Sequence, residues 1–345
     1  MSFGKAFLSS CLGSLTAIIL FCVLIVILVS GLTSQNEIVL EDKSVLHLKL
    51  DAQITEMQRE NPFAGLPFPG ADESNIGLLQ LKEVIDHAKD DEKIRGIYVD
   101  VSYPSAGFST IGEIRQSLID FRKSGKWVIA YGEVMSEGAY YLASAADKIY
   151  LNPEGQIEFN GLVAEVSFFK KMFEKLEIEP EIFRVGEFKS AVEPFLYEKM
   201  SPESRLQLDE LLNSLYGQVI RGISESRSIP AEKLEHLADN MLVRNAREAV
   251  ENKLIDSLMY RDGFQEILKK RLDVKETRDI NMVTYNRYRK SFSGFKSSKN
   301  EIAVIVADGT IMPGEADGSD QVIAGETFVD EIRKAREDED IKAIV

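Results

Sequence analysis

One strand–helix–strand pattern occurs twice in this chain, and that repetition constrains the fold more than any other feature. Residues 44–56 (SVLHLKLDAQITE) parallel residues 301–315 (EIAVIVADGTIMPGE), with Asp308 opposite Asp51 and Ile311 opposite Ile54. Residues 81–98 (LKEVIDHAKDDEKIRGIY) parallel residues 328–345 (FVDEIRKAREDEDIKAIV) without a gap, so that Ala335 matches Ala88, Asp338 matches Asp91 and Ile341 matches Ile94. Two similar segments in the same order imply tandem copies of one α/β unit. The second copy stops inside a strand at Val345. A strand of this kind needs cover on both faces, so the sequence reads as a fragment with a truncated second copy.

The first copy alternates strand and helix patterns throughout. Residues 44–50 alternate apolar and polar side chains as a strand does. Residues 57–75 are rich in Pro, Gly and Asn and read as a loop. Leu78, Leu81, Val84, Ile85 and Ala88 recur at helical spacing, and residues 94–101 (IRGIYVDV) read as a buried strand. Residues 111–124 read as a helix with Ile114, Leu118 and Phe121 inward and Gly125 as its C-cap. Residues 127–131 form the next strand, and strands separated by helices of this length indicate an α/β domain.

Residues 163–176 read as an amphipathic helix. Ser201-Pro202-Glu203 is a helix start, with a serine cap, proline in the first turn and an acid near the positive end of the dipole. That helix runs through Leu208, Leu211, Leu212, Leu215 and Val219, and Pro230 ends the block and opens another short helix. The division expected is a tip and anchor over 1–36, a first copy over 37–289, a small polar linker over 290–300 and the start of a second copy over 301–345.

The chain carries a formal net charge of -15, which argues against nucleic acid as a partner because phosphate binding needs a basic surface. Its two cysteines, Cys11 and Cys22, both lie in the N-terminal apolar run, so the rest of the chain has no disulfide framework or thiol–metal site. His47, His87 and His236 lack ligand spacing, and no metal is expected. No charged residue falls between Ala6 and Asn36. The run over residues 12–32 is long enough for a bilayer core, which takes roughly 20 residues, and too long for the apolar part of a cleaved leader, about 7–15 residues. Lys5 before the run and Glu37, Glu41 and Asp42 after it keep the N-terminus in the cytoplasm and the rest outside.

Two stretches could carry chemistry. Ser136 opens a run of small residues, MSEGAYYLASAAD, directly after a strand. A serine at a helix start can sit near backbone N–H groups able to stabilise an oxyanion; its ordinary role there is an N-cap. Lys189, in FRVGEFKSAVEPF, lies among apolar and small residues. A lysine buried there could lose its charge near neutral pH and take a proton from a serine. Its ordinary alternatives are an exposed loop cation or a partner for Glu187 or Glu193. Ser136 has no Gly-x-Ser-x-Gly elbow and none of the histidines has a triad context, so lysine is the expected base of any serine hydrolase here.

At these residues the chain resembles the long, tandem-repeat form of the signal peptide peptidase A family, also called protease IV. The resemblance covers essentially the whole sequence. It includes MSFGKAFLSS at the start, NPFAGL at 61–66, EGAYYLASAADKIYLNPEG at 137–155, and above all FRVGEFKSAVEPF at 183–195 followed by MSPESR. It implies an α/β fold of repeated β-β-α units related to crotonase and the Clp protease, preceded by one transmembrane helix. It implies an endopeptidase with a serine–lysine dyad, no metal or organic cofactor, and signal peptides and other peptides as substrates. The family's base falls on Lys189 and its nucleophile beyond Val345, in the second copy. Ser136 holds the equivalent place in the first copy and reads as a vestige. The family's Gly-Gly step after Ser-Pro is replaced here by Tyr103-Pro104-Ser105-Ala106-Gly107, which lacks one of those glycines. The resemblance further implies a homotetramer at the inner membrane, with its catalytic part periplasmic. Competing readings are an inactive membrane-anchored scaffold and an acyl-CoA enzyme of the crotonase type.

Overall fold

The structure is a computed structural model and describes residues 13–21, 40–58, 75–292, 298–316 and 322–345. In chain order the first unit comprises β1 (Ser44–Lys49), β2 (Ile54–Thr55), β3 (Ile76–Gly77), α1 (Leu78–Asp90), β4 (Ile94–Asp100), α2 (Phe108–Arg122), β5 (Trp127–Met135), α3 (Glu137–Ala143) and β6 (Lys148–Ile157). It continues through α4 (Lys170–Lys175), α5 (Glu193–Leu196), α6 (Pro202–Arg227), α7 (Ala231–Asp239), α8 (Ala246–Glu251), β7 (Ser257–Leu258), α9 (Arg261–Leu272), β8 (Met282–Thr284) and α10 (Tyr285–Arg289). The remaining elements are β9 (Glu301–Ala303), β10 (Thr310–Met312), β11 (Val322–Ala324), α11 (Gly325–Glu337) and β12 (Ile341–Ile344).

The framework is a parallel sheet of six strands in the order β7-β6-β5-β4-β1-β8. Strand alternation divides its side chains between two layers. Leu46, Leu48, Ile97, Val99, Val128 and Ala130 enter the main core with α1, α2 and α3. Their neighbours Val45, Tyr98, Ile129 and Tyr131 point the other way and pack with Phe264, Leu268 and Leu272 of α9. Both faces are therefore covered, as a parallel sheet requires. Each Leu or Ile so buried contributes about 1.5–3 kcal/mol. The five residues expected to face inward on α1 are the five that are buried, Leu78, Leu81, Val84, Ile85 and Ala88.

Several boundaries differ from expectation. Gly125 takes a left-handed conformation (φ 85°), but the cap of α2 is Lys123 and the glycine lies two residues beyond it. The helix expected over 163–176 contracts to Lys170–Lys175, because Val163, Val166 and Met172 stay exposed and an amphipathic face without a core gains little by folding. The loop expected over 57–75 falls almost wholly outside the described residues. Of the apolar run expected to span a bilayer, residues 13–21 are described and are helical and exposed, and the rest lies outside. Among the described residues no helix is long and apolar enough to cross a membrane.

The elements after the linker reproduce the connectivity of the first. β9 pairs in parallel with β12 as β1 does with β4, and β10 pairs with β11 as β2 does with β3. The agreement extends to an irregularity. Ser44 faces Ile94 and Val45 faces Gly96, skipping one residue; Glu301 faces Ile341 and Ile302 faces Ala343, skipping the matching one. Asp91 accepts from the N–H of Lys93 at 2.9 Å, and Asp338 from that of Asp340 at 2.9 Å. Between the two units, α10 is clamped on α1: the Tyr288 hydroxyl bonds Asp91 and His87, each at 2.9 Å. Phe292, inside the expected linker, stacks on His87.

Candidate functional site

Ser136 stands where β5 ends and α3 begins. Its N–H donates to the Ser102 carbonyl at 3.0 Å, and its hydroxyl accepts from the N–H of Ala139 at 3.3 Å, which makes it the helix cap. The loop Tyr103–Gly107 lies beside it, with Pro104 packed toward Gly138. A donor and an acceptor of that loop are taken. Ala106 N–H bonds the Pro104 carbonyl, and the Ser105 carbonyl is taken by Ile54 N–H. The N–H groups of Ser136 and Ala106 are thus already engaged. Among the described residues no base is hydrogen-bonded to the Ser136 hydroxyl.

The next residue, Glu137, carries no signal in the sequence beyond its place in the small-residue run. It is buried at the first position of α3, and one carboxylate oxygen accepts from the N–H groups of Asn160 (3.2 Å) and Gly161 (2.9 Å). The other oxygen is enclosed together with the Tyr216 hydroxyl of α6, the two groups facing each other. Burial pushes the Glu137 carboxyl above the usual range, against the two backbone N–H groups. Glu137 thereby ties α3 to the turn at Asn160–Gly161, where the chain leaves the sheet.

From Gly161 the chain forms an arm that returns at Ser201 and carries Lys189. The expectation of an apolar pocket around Lys189 is not met within this chain. Lys189 is exposed, Phe183 is 94% exposed, and Val185 and Phe188 are exposed beside it. The side chain makes no ion pair among the described residues. Gly186 (φ 102°) allows the turn that brings the backbone back over the lysine stem, where an added Cβ would lie 3.8 Å from Lys189 Cγ.

The base of this turn is built, although its tip is not. Glu193, four residues after Lys189, is only 2% exposed. It accepts from the Ser201 hydroxyl at 2.6 Å and the Ser201 N–H at 3.1 Å, and Arg184 approaches to 3.8 Å. Burial alone would push this carboxyl up; the Ser201 hydrogen bonds and the Arg184 charge outweigh it and leave it below the usual range. Arg184 also donates to the Tyr197 hydroxyl at 2.8 Å and reaches the Lys189 carbonyl at 3.5 Å. Glu193, one of the expected partners of Lys189, pairs with Arg184 and Ser201 instead. The apolar and small residues around Lys189 mark the region, but nothing in their spacing tells which carboxylate is enclosed.

A model of peptidase family S49 matches residues 120–275, the interval that holds both Ser136 and Lys189. The chain is 32% identical over 281 residues to Protease 4 of Haemophilus influenzae, covering 78% of this chain and 45% of that one. It is 34% identical over 276 residues to Protease 4 of Salmonella typhi, with 78% and 44% covered. It is 29% identical over 307 residues to the protein named "Serine protease SPPA, chloroplastic" of Arabidopsis thaliana, with 88% and 44% covered. The chain spans a little under half the length of these curated relatives. The curated relatives so matched carry names of proteases, one of them of a serine protease. Residues 120–275 thus match peptidase family S49, and over most of its length the chain is similar to proteins named Protease 4.

Proposed function

We propose that this chain is the front part of a membrane-anchored serine endopeptidase that degrades signal peptides and other peptides outside the cytoplasmic membrane. Its catalytic pair is split. Lys189 of the first unit is the general base, and the nucleophilic serine comes from the rest of the second unit. Neutral Lys189 takes the hydroxyl proton of that serine, and the serine oxygen attacks the peptide carbonyl carbon. Backbone N–H groups hold the resulting oxyanion. The departing amine receives the proton from Lys189, and water then releases the acyl group. No metal or organic cofactor enters the scheme.

One observation carries this reading. The family's lysine motif is presented on a braced turn whose apolar side faces solvent, so cover from another unit would complete a desolvating pocket. An ammonium loses its charge near neutral pH only when it is desolvated or placed near another cation. The matching registers of β1–β4 and β9–β12 support the second unit as a repeat of the first, with the crotonase/Clp-like fold that the resemblance implies. The remaining parts of the proposal are the N-terminal anchor over residues 1–36, a cytoplasmic N-terminus, a periplasmic catalytic part and a homotetrameric assembly. Ser136, which caps α3 and whose own N–H and that of Ala106 are engaged, is assigned no turnover.

Replacing Lys189 with Ala in the full-length protein tests the assignment. The expected result is loss of peptide cleavage with unchanged circular dichroism and melting. Undiminished cleavage would overturn it.

A further inference from the structure

We propose that Glu193 is a positioning residue for Lys189, acting through Arg184 and Ser201 to fix the turn that presents the lysine. The inference rests on Lys189 being the base and extends that reading to a residue outside the dyad.

The argument begins with exposure. A lysine on a surface turn has four rotatable bonds and about 2 kcal/mol of side-chain entropy to lose, and catalysis needs its amine within hydrogen-bond reach of the serine. If the turn itself moved freely, that cost would rise with every backbone torsion left loose. The arm has few apolar contacts to stiffen it, since Val163, Met172, Leu176, Phe183, Val185 and Phe188 are all exposed. Phe169 and Phe173 stack on Phe195 behind the turn; what braces the turn itself is polar and concentrated at one carboxylate.

Glu193 joins three points of the chain. Forward, it accepts twice from Ser201, the cap of α6, and so fastens the arm to the long helix that returns to the core. Backward, its charge faces Arg184, which spans the turn to the Lys189 carbonyl and the Tyr197 hydroxyl. Locally, its own N–H bonds the Ser190 carbonyl and its carbonyl accepts from Tyr197 N–H, closing the short helical turn after Lys189. Among the described residues the charged group facing Glu193 is Arg184; Lys171 and Glu198 pair with each other at 2.7 Å. A buried charge retained with this set of partners is costly to strand. All the partners belong to the first unit, so the lysine is presented before any second unit covers it.

The test uses the full-length enzyme with a fluorogenic peptide. Glu193→Gln preserves shape but removes the charge that orders Arg184. The expected result is a fall in kcat of about 10- to 100-fold, the size that a misplaced catalytic group produces, with KM little changed. The acid limb of the kcat/KM–pH profile should shift with it, because that limb reports ionisation of the base in the free enzyme. Tyr197→Phe, which frees one arm of Arg184 at a half-exposed site, should move both readouts the same way by a smaller factor and serves if Glu193→Gln does not fold. A lower melting temperature with unchanged kcat and pH profile in the folded variants would overturn the proposal and leave Glu193 a structural residue. Lys189→Ala separates the two readings. If that variant keeps activity, the dyad assignment fails; if it is inactive while Glu193→Gln and Tyr197→Phe behave as wild type, only the positioning role fails.

Discussion

The two units follow one backbone plan with opposite degrees of packing. Ile85 on α1 is 0% exposed, and its counterpart Ile332 on α11 is 40% exposed. Ile54 on β2 is 7% exposed, and Ile311 on β10 is 80% exposed. Even so, strand pairing, the skipped residue and the aspartate turn after the helix agree between them. Local sequence pattern and turn chemistry thus specify the elements and their register, while burial comes from the layers that close over them. In the first unit those layers are α2, α3 and α9. In the second unit, within this chain, the apolar faces stay open.

The sharpest way to break this comparison is a matched pair of deletions. Ile85→Ala should cost about 2–5 kcal/mol of unfolding free energy, the range for large-to-small changes in a packed core. Ile332→Ala in this chain should stay within about 0.5 kcal/mol, as an exposed substitution does. Urea denaturation of both variants decides it, and equal costs would contradict the contrast. The same Ile332→Ala change in the full-length protein should rise toward the core value of about 2–5 kcal/mol if the remaining chain covers α11.

A smaller effect separates the braced base of the arm from its open tip. Ser201→Ala removes the α6 cap and a Glu193 partner together, and should lower stability by about 1–2 kcal/mol. Val185→Ala at the tip should be near neutral, within about 0.5 kcal/mol, in the same melt.

The mildest effect expected is pH dependence. Glu193, Asp100 and Asp256 are held below the usual carboxylate range: burial opposes this in each, and hydrogen bonds and neighbouring cations outweigh it. The folded chain therefore binds fewer protons than the unfolded chain in mild acid. Their contribution is complete above the unfolded values, about 4, and disappears as pH falls through the lower folded values. Glu137 acts in the opposite sense, because burial raises it; its contribution is greatest below the unfolded value and declines as pH rises through the folded one. Thermal melts between about pH 3 and 7 should show stability of the first unit rising with pH through the lower half of that range. A flat profile would count against the bracing assigned to these carboxylates.

Much of the first unit was legible because its signals are local. The buried stripe of α1, the alternation in β1 and the Ser201 cap each follow from a period or a cap residue. The helix expected over 163–176 is short for the complementary reason. Its periodicity is real, but a period only pays when a core lies opposite, and within this chain none does. At the candidate site, Ser136 was found as a helix-start serine, and its capping role is what the structure displays. Lys189 was located by motif, yet its exposure could not be read from neighbours that are apolar in sequence and open in space. Sequence does not distinguish Glu137 from an ordinary acid and offers Glu193 only as a partner for Lys189, because enclosure by Gly161 and Tyr216, or by Ser201 and Arg184, depends on contacts across the fold.

Labelling with a serine-directed fluorophosphonate, read by mass spectrometry, bears most directly on the split catalytic pair. The account predicts label on the full-length protein at a serine beyond Val345, loss of that label in Lys189→Ala, and none on the 345-residue chain. Label at Ser136 of the shorter chain, or full labelling without Lys189, would contradict it.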